Sequence, residues 1–309
     1  MRYRSVFFAC LVTFAPFTAL AVTKTLDRDH VFQAAAGETV MIDVSLHNVE
    51  VTARPGDTVQ VAVHLEATGS ATKTDKILAA LDPVFRDDGD TILIRSTTKG
   101  FGGLGSAKVK GIVTVAMPPD LDLVVDGSSG SFTAEGDFAS GDVRCDASSG
   151  SFRLNGAAEM ISADLSSGSV ELELTRPAQS VRLDTSSGSV RMRGGAHSVN
   201  ADTSSGSITL HGLLGNASMD ASSGSITASW AAISTGARVN AGASSGSVTL
   251  TFPAGTVLAG DVSVSSGGIH SDFAGVSSDR GRHLKLTGEP GAVQLHAETS
   301  SGGVRLLQR

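Results

Sequence analysis

The chain has little of what builds most binding and catalytic sites. Among 309 residues there are two Cys, one Trp and one Tyr. Cys10 and Tyr3 both fall in the first twenty-one residues, which read as a removable leader, so the folded protein keeps Cys145 alone and no internal disulfide is expected. With a single Trp, Trp230, the stacked aromatic platforms that hold sugar rings are absent. Positive charge is scarce too. Lys and Arg total 24 against 31 Asp and Glu, giving −7, and they are spread along the chain. That distribution lacks the concentrated Lys/Arg patch that a phosphate backbone requires, so nucleic acid is excluded as an expected partner.

Recognisable catalytic spacing is also missing. His30, His47, His64, His197, His211, His270, His283 and His296 are scattered without metal-ligand spacing. Gly102-Gly103-Leu104-Gly105 does not lie between a strand and a helix, and no Lys-Ser/Thr pair follows it, so it is not a phosphate loop. The many serines lack a nucleophile-elbow context. No cofactor, no resident metal and no catalytic residue is expected, and the protein reads as a non-enzyme.

Met1 to Ala21 has the parts of a secretory signal: Arg2 and Arg4, an apolar stretch from Val6 to Leu20, and Ala19-Leu20-Ala21 as the small-x-small cleavage pattern. Cleavage is expected after Ala21, with export to the periplasm or the exterior. The apolar run is shorter than the roughly 20 residues of a spanning helix, so no transmembrane segment is expected in the mature chain. Cys10 stands too close to Arg4, with ten more residues of the run beyond it, to be a lipidated first residue.

What the chain does have is a repeat. Ser-Ser-Gly-Ser begins at Ser128, Ser148, Ser166, Ser186, Ser204, Ser222 and Ser244, and Ser-Ser-Gly-Gly at Ser265 and Ser300. Successive starts lie 18 to 22 residues apart until the last gap of 35, which hides a degenerate coil or an insertion between about residues 272 and 293. Around each turn the residues alternate as a half-buried strand does. Val181, Leu183 and Thr185 point inward before the turn and Val190 and Met192 after it, while Arg182, Asp184, Arg191 and Arg193 point out. Gly156, Gly194-Gly195, and Gly212 with Gly215 mark a second turn.

Two strands and two turns in so short a period leave no chain for a helix, which excludes leucine-rich, ankyrin and tetratricopeptide arrays. The expected fold is all-β: a single-chain parallel β-solenoid of about 18–22 residues per coil over residues 121–309, each coil stacked on the last at about 4.8 Å. Cys145 takes an inward position filled elsewhere by Ala163, Leu183, Ala201 and Met219, so it reads as a small apolar core residue.

Residues 22–120 lack the turn motif and read as a β-rich capping region. Thr39-Val44, Asn48-Ala53, Thr58-Glu66, Thr91-Arg95 and Lys108-Ala116 are expected strands. One short helix is expected over Asp75 to Leu81, capped by Thr74 and stopped by Pro83, with Lys99 to Ser106 a glycine-rich loop.

Three stretches carry a resemblance: Gly37-Glu38-Thr39-Val40-Met41-Ile42-Asp43-Val44 running into Asn48-Val49-Glu50-Val51; Met117-Pro118-Pro119-Asp120-Leu121-Asp122-Leu123 leading into the first turn; and Leu286-Thr287-Gly288 through Thr299-Ser300-Ser301-Gly302-Gly303-Val304-Arg305-Leu306. Together they resemble a bacterial family of exported β-strand-repeat proteins described as putative adhesins of unknown function, related to head-domain autotransporter-type adhesins. The resemblance implies an exported β-repeat fold and no particular chemistry. The chain departs from it in using Gly-Ser where such families usually show Gly-Asp or Gly-Asn, and in having His47-Asn48 at its first candidate position.

The most regular polar feature is an aspartate two positions before the turn: Asp126, Asp146, Asp164, Asp184, Asp202 and Asp220. Stacking would align them, and each exposed pair then costs several tenths of a kcal/mol, ~0.5 or less, unless compensated. Asx-type hydrogen bonds from the following Ser amides are the expected compensation, and Ca²⁺ bridging adjacent coils is the alternative. The functional expectation is an adhesin-like binding or spacer module of the cell envelope, with an envelope protein or a glycan as partner. The competing expectations are a polysaccharide lyase or hydrolase and a Ca²⁺-stabilised solenoid.

Overall fold

The serine-glycine corners stack as the period predicts, and the backbone explains why they must contain glycine. In the computed structural model, which describes residues 21–97 and 107–309, Gly168 has φ +132° and a Cβ on it would fall on the carbonyl oxygen of Gly150. Gly150 meets Gly130 in the same way, and the relation repeats through Gly188, Gly206, Gly224 and Gly246. Two requirements therefore coincide at one residue: a left-handed backbone and no side chain against the next coil.

The protein is all-β, with one large and mostly parallel sheet and, among the described residues, one α-helix. Each coil contributes a strand before the corner and a strand after it. Before the corner, Ala178–Ser187 pairs with Ala196–Ser205 and that with Asn216–Ser223, so that Leu183, Ala201 and Met219 form one inward column. After the corner, Val170, Val190, Ile208, Ile226 and Val248 form another. All are buried, and small and large residues alternate within the Leu183 column, filling a core that is narrow and continuous. Cys145 is fully buried there as a free thiol.

Coils of the same kind extend to both sides of residue 120. Thr39–Ala53 pairs in parallel with the long strand Asp122–Ser167, and on its other side with Thr91–Ser96 and Lys108–Met117. Antiparallel strands then close that end: Thr58–Gly69 on Lys108–Met117, Val22–Gln33 on Thr58–Gly69, and Val84–Asp87 on Thr91–Ser96. The expected strands of this region form. Val22–Gln33 and Val84–Asp87 were not expected, because both are largely exposed and show no clean alternation. The signal segment and the glycine-rich loop at 99–106 lie outside the described residues.

Two expectations are corrected. The helix is Ala71–Ala80 and begins after Ser70; Thr74 does not cap it. Thr74 is buried inside the helix and its hydroxyl donates to the Ala71 carbonyl at 2.8 Å, because the helix packs that face on the strand Thr58–Gly69.

The second correction concerns the order of coils. The last coil in sequence, Val293–Ser301 with Val304–Gln308, is not stacked on the one before it. It inserts between the coil that turns at Ser244 and the coil that turns at Ser265: Val239 pairs with Leu295 and Leu295 with Gly260, while Val248 pairs with Val304 and Val304 with Ile269. The long final gap is an insertion, an antiparallel hairpin of Gly275–Ser278 and His283–Leu286. That hairpin pairs antiparallel to Leu258–Ser266 and covers its outer edge.

Replacing Gly168 with Ala is expected to destabilise the fold by about 3–5 kcal/mol, from the strained φ and the forced separation of coils. Gly236→Ala, where φ is +71° but nothing lies within 4 Å of the added carbon, is expected to cost about 1–2 kcal/mol. Denaturant melts of the two variants check the contrast; equal losses would show that the carbonyl contact does not matter.

Candidate functional site

The polar ridge at the corners is built from three kinds of side chain, each with its own set of contacts. The serine after each glycine links coils: the amide of Ser189 donates to the hydroxyl oxygen of Ser169, Ser207 to Ser189, Ser225 to Ser207 and Ser247 to Ser225, at 3.3–3.5 Å. Buried threonines tie the corner from inside. Thr185 and Thr203 both donate toward the Gly188 carbonyl, at 3.2 and 3.1 Å, and Thr299 donates to that of Gly246 at 2.8 Å.

The aspartates stand beside this ridge, in register. Asp164, Asp184, Asp202 and Asp220 pair successively, and Asp126 pairs with Asp43. Beyond Asp220 the column continues through Gly242, Glu298 and Ser263. Asp43 and Glu298 escape a sequence reading because one has no serine turn after it and the other reaches the column only through the out-of-order coil. At the Asp43 end Arg95 Nε donates to the carboxylate at 2.8 Å, and Asp146 is held by Arg144 at 2.9 Å.

The expected Asx-type compensation is not what the structure uses. No hydrogen bond joins the aspartates of the column to the serine amides among the described residues; of the serines that follow them, Ser187, Ser205 and Ser223 lie instead in the parallel register between coils. Repulsion accordingly survives in the middle of the column. Burial first, then Asp184 and Asp220, raise the Asp202 pKa above the usual carboxylate value, and Arg182 opposes them. Among the described residues no three His, Cys, Asp or Glu side chains converge in a way that could hold a metal ion. A stack at strand spacing spreads its carboxylates along a line, whereas a Ca²⁺ site gathers six to eight oxygens around a point.

The arginines on the opposite face are paired across coils. Arg153 meets Glu171 at 2.5 Å and Arg193 meets Glu173 at 3.4 Å. Arg191 stands in register beside Glu171. Trp230 is buried, with its indole N–H donating to the Gly215 carbonyl at 2.9 Å and its ring stacked on Phe252 at 4.7 Å. It is a core residue and offers no platform. Burial, then Asp146 and Asp126, push the Cys145 thiol up, which makes it a poor nucleophile.

Two features were not singled out by sequence. Asp122 and Asp142 are adjacent in a shallow groove of about 330 Å³ that also contains Arg144, Arg182 and the half-exposed Met160. The Asp142 amide donates to Asp122 Oδ1 at 2.9 Å, and burial, then Asp122 and Glu159, raise the Asp142 pKa. His47 takes the corner position that glycine holds elsewhere, opposite Gly130, and its ring is fully buried over Gly111. The Ser96 hydroxyl donates to the Leu81 carbonyl at 2.6 Å and therefore accepts from His47 Nε2–H at 3.2 Å. Nδ1 is left as a buried acceptor with no partner among the described residues, and burial lowers the His47 pKa to about 4.

The chain matches the Toastrack DUF4097 family over residues 40–307. It belongs to that family. The match spans both the motif-free coils and the serine-glycine coils, which agrees with the resemblance carried by the three stretches quoted from the sequence. No curated protein matches the chain. Solved structures to which the chain shows similarity include putative adhesins from Parabacteroides distasonis (12% identity, 91% of this chain and 97% of that one, TM-score 0.45), Parabacteroides merdae (12%, 91% and 96%, 0.38) and Bacteroides fragilis (12%, 92% and 97%, 0.37). The family match carries the assignment, and these superpositions add no argument about function.

Two outcomes follow for this site. Asp202→Asn is expected to raise the melting temperature at pH 7 and low ionic strength, because it removes a carboxylate whose folded pKa lies above its unfolded one. The gain should shrink as pH falls through the raised pKa, and in high salt. A melt that is lower at pH 7 and insensitive to salt would contradict it. For His47 the folded pKa lies below the unfolded value, so the unfolded chain takes up its proton first. Stability is expected to fall from pH 6.5 to about 4 by on the order of 3 kcal/mol and to level off below that. His47→Gln should flatten this part of the pH–stability curve, measured as the difference from the wild-type chain.

Proposed function

We propose that this Toastrack-family chain is a non-enzymatic, exported envelope protein that binds a partner or acts as a spacer through its long polar faces. The observation that carries the reading is repetition. The same serines and aspartates recur in register from coil to coil, so this ridge offers an extended array of equivalent groups. Such an array suits a ligand that is itself extended and repetitive, a glycan strand or a partner's β-rich surface, since each repeat can contribute a weak contact and the contacts add by multivalency. The leader over Met1 to Ala21 supports export to the periplasm or the exterior. No helix among the described residues is long and apolar enough to cross a membrane.

A second reading, a polysaccharide-active enzyme, is favoured by one observation: Asp122 and Asp142 share a groove with two arginines, and the Asp142 pKa is raised as a general acid's would be. Fractionation of the native cell with crosslinking tests the first reading. The chain is expected outside the cytoplasm, beginning near Val22, and joined to one envelope partner or glycan. Asp164→Lys with Asp184→Lys should abolish that crosslink. An intact leader in the cytoplasmic fraction would overturn it. Cleavage of an envelope polysaccharide that Asp142→Asn abolishes would replace it with the second reading.

A further inference from the structure

The out-of-order coil has a consequence on the side of the solenoid away from the serine ridge. Elsewhere the second corner is tight: two residues join Arg193 to Ala196, and two join Leu213 to Asn216. Where the last coil inserts, three longer connections lie side by side, residues 231–237, 253–257 and 287–292, and the middle one passes over the inserted coil, which lies between the two coils it joins. They enclose a trough of about 510 Å³.

The trough is formed before any ligand arrives. The Gly236 amide donates to the Gly291 carbonyl at 2.9 Å and the Val293 amide to that of Val257 at 2.9 Å, which joins the three loops. Each loop is also closed on itself, by Ala237 to Ser234, Thr256 to Pro253 and Ala292 to Glu289. Phe252, at the start of the middle loop, is stacked on Trp230 and meets Phe273 edge-on at 5.8 Å, so the loops spring from a packed aromatic base. A site held in this way loses little conformational entropy on binding.

Its chemistry is one-sided. Ala231, Ala232, Ile233, Pro253, Val257 and Pro290 supply apolar wall, and Val257 is 52% exposed, a cost that a ligand would relieve. Glu289 is the one ionisable side chain of the lining, and no basic residue faces it there. We propose that this trough is a binding site for a small amphipathic molecule with an apolar body and an ammonium head, the body lying against Val257 and Ile233 and the head beside the Glu289 carboxylate. The volume falls within the range of roughly 300–1,000 Å³ typical of small-molecule sites. The site is separate from the serine-aspartate ridge and does not depend on what that ridge binds.

The test is fluorescence titration of the full mature chain with N-phenyl-1-naphthylamine, a neutral apolar probe, followed by displacement with dodecylamine and with dodecanoate. Saturable one-site binding is expected, with dodecylamine displacing the probe at about two- to five-fold lower concentration than dodecanoate, as an exposed charge pair allows. Glu289→Gln should abolish that difference and leave probe affinity unchanged. Ala232→Trp, which fills the trough from an exposed position, should weaken the probe at least tenfold without lowering the melting temperature; Val257→Asp is the second variant should the first fail to fold. Non-saturable probe binding, binding that survives both trough variants, or equal displacement by the two head groups would each overturn the proposal.

Discussion

Neighbouring coils approach so closely at the corner that a carbonyl oxygen occupies the place where the next residue's Cβ would be. This contact organises the molecule. It requires glycine in column from Gly130 to Gly246 and onward through Gly302 to Gly267, and it fixes coil spacing at the point where the chain turns. The flanking groups follow from it. A chain held at strand spacing brings each serine amide to the hydroxyl of the serine one coil back, and it brings threonine hydroxyls under the glycine carbonyls, so the corner's polar groups are satisfied along the stack. The same spacing forces the aspartates into line. Their repulsion at Asp202 is a by-product of the geometry that stabilises the corner.

The ends of the stack obey a different requirement, since a parallel coil without a neighbour exposes a row of unpaired backbone groups. Both ends are met by antiparallel strands: Thr58–Gly69 with Val22–Gln33, and Val84–Asp87, at one end, and the hairpin of residues 275–286 at the other. His47 belongs to this transition. Its coil has no serine-glycine corner, and the imidazole fills space left by Gly111 while bonding to Ser96, at the cost of a buried, unpaired nitrogen. The insertion of the last coil belongs to the other end, where the connection 253–257 passes over it beside the trough.

Much of this was legible in the residues, and the division is physical. Inward and outward alternation around each turn is a local property with a period of two, so Val181, Leu183 and Thr185 could be assigned to the core and Asp184 to the surface without knowing any neighbour. The place of Cys145 followed from the same phase. The helix starts ahead of Thr74 because Thr74, though it has a capping side chain, sits on the face that packs against a strand, and burial outweighs its local preference. Asx-type bonding is absent for a related reason: serines that follow the aspartates, Ser187, Ser205 and Ser223, are in register with one another from coil to coil, which local sequence does not display.

By itself the sequence determined that the chain forms stacked two-strand coils with glycine corners, which residues line the core, and that a column of aspartates runs beside the serines. These depend on alternation and on a repeat, both written in consecutive residues. Only the tertiary structure decided which coil lies beside which, that Asp43 and Glu298 join the aspartate column, and that a trough opens at residues 231–237, 253–257 and 287–292. Coils with nearly the same corner are complementary to any neighbour, so the sequence specifies that they stack without specifying their order. Order is fixed by the lengths of the connections and by the hairpin that closes the end, and these act between parts of the chain far apart in sequence.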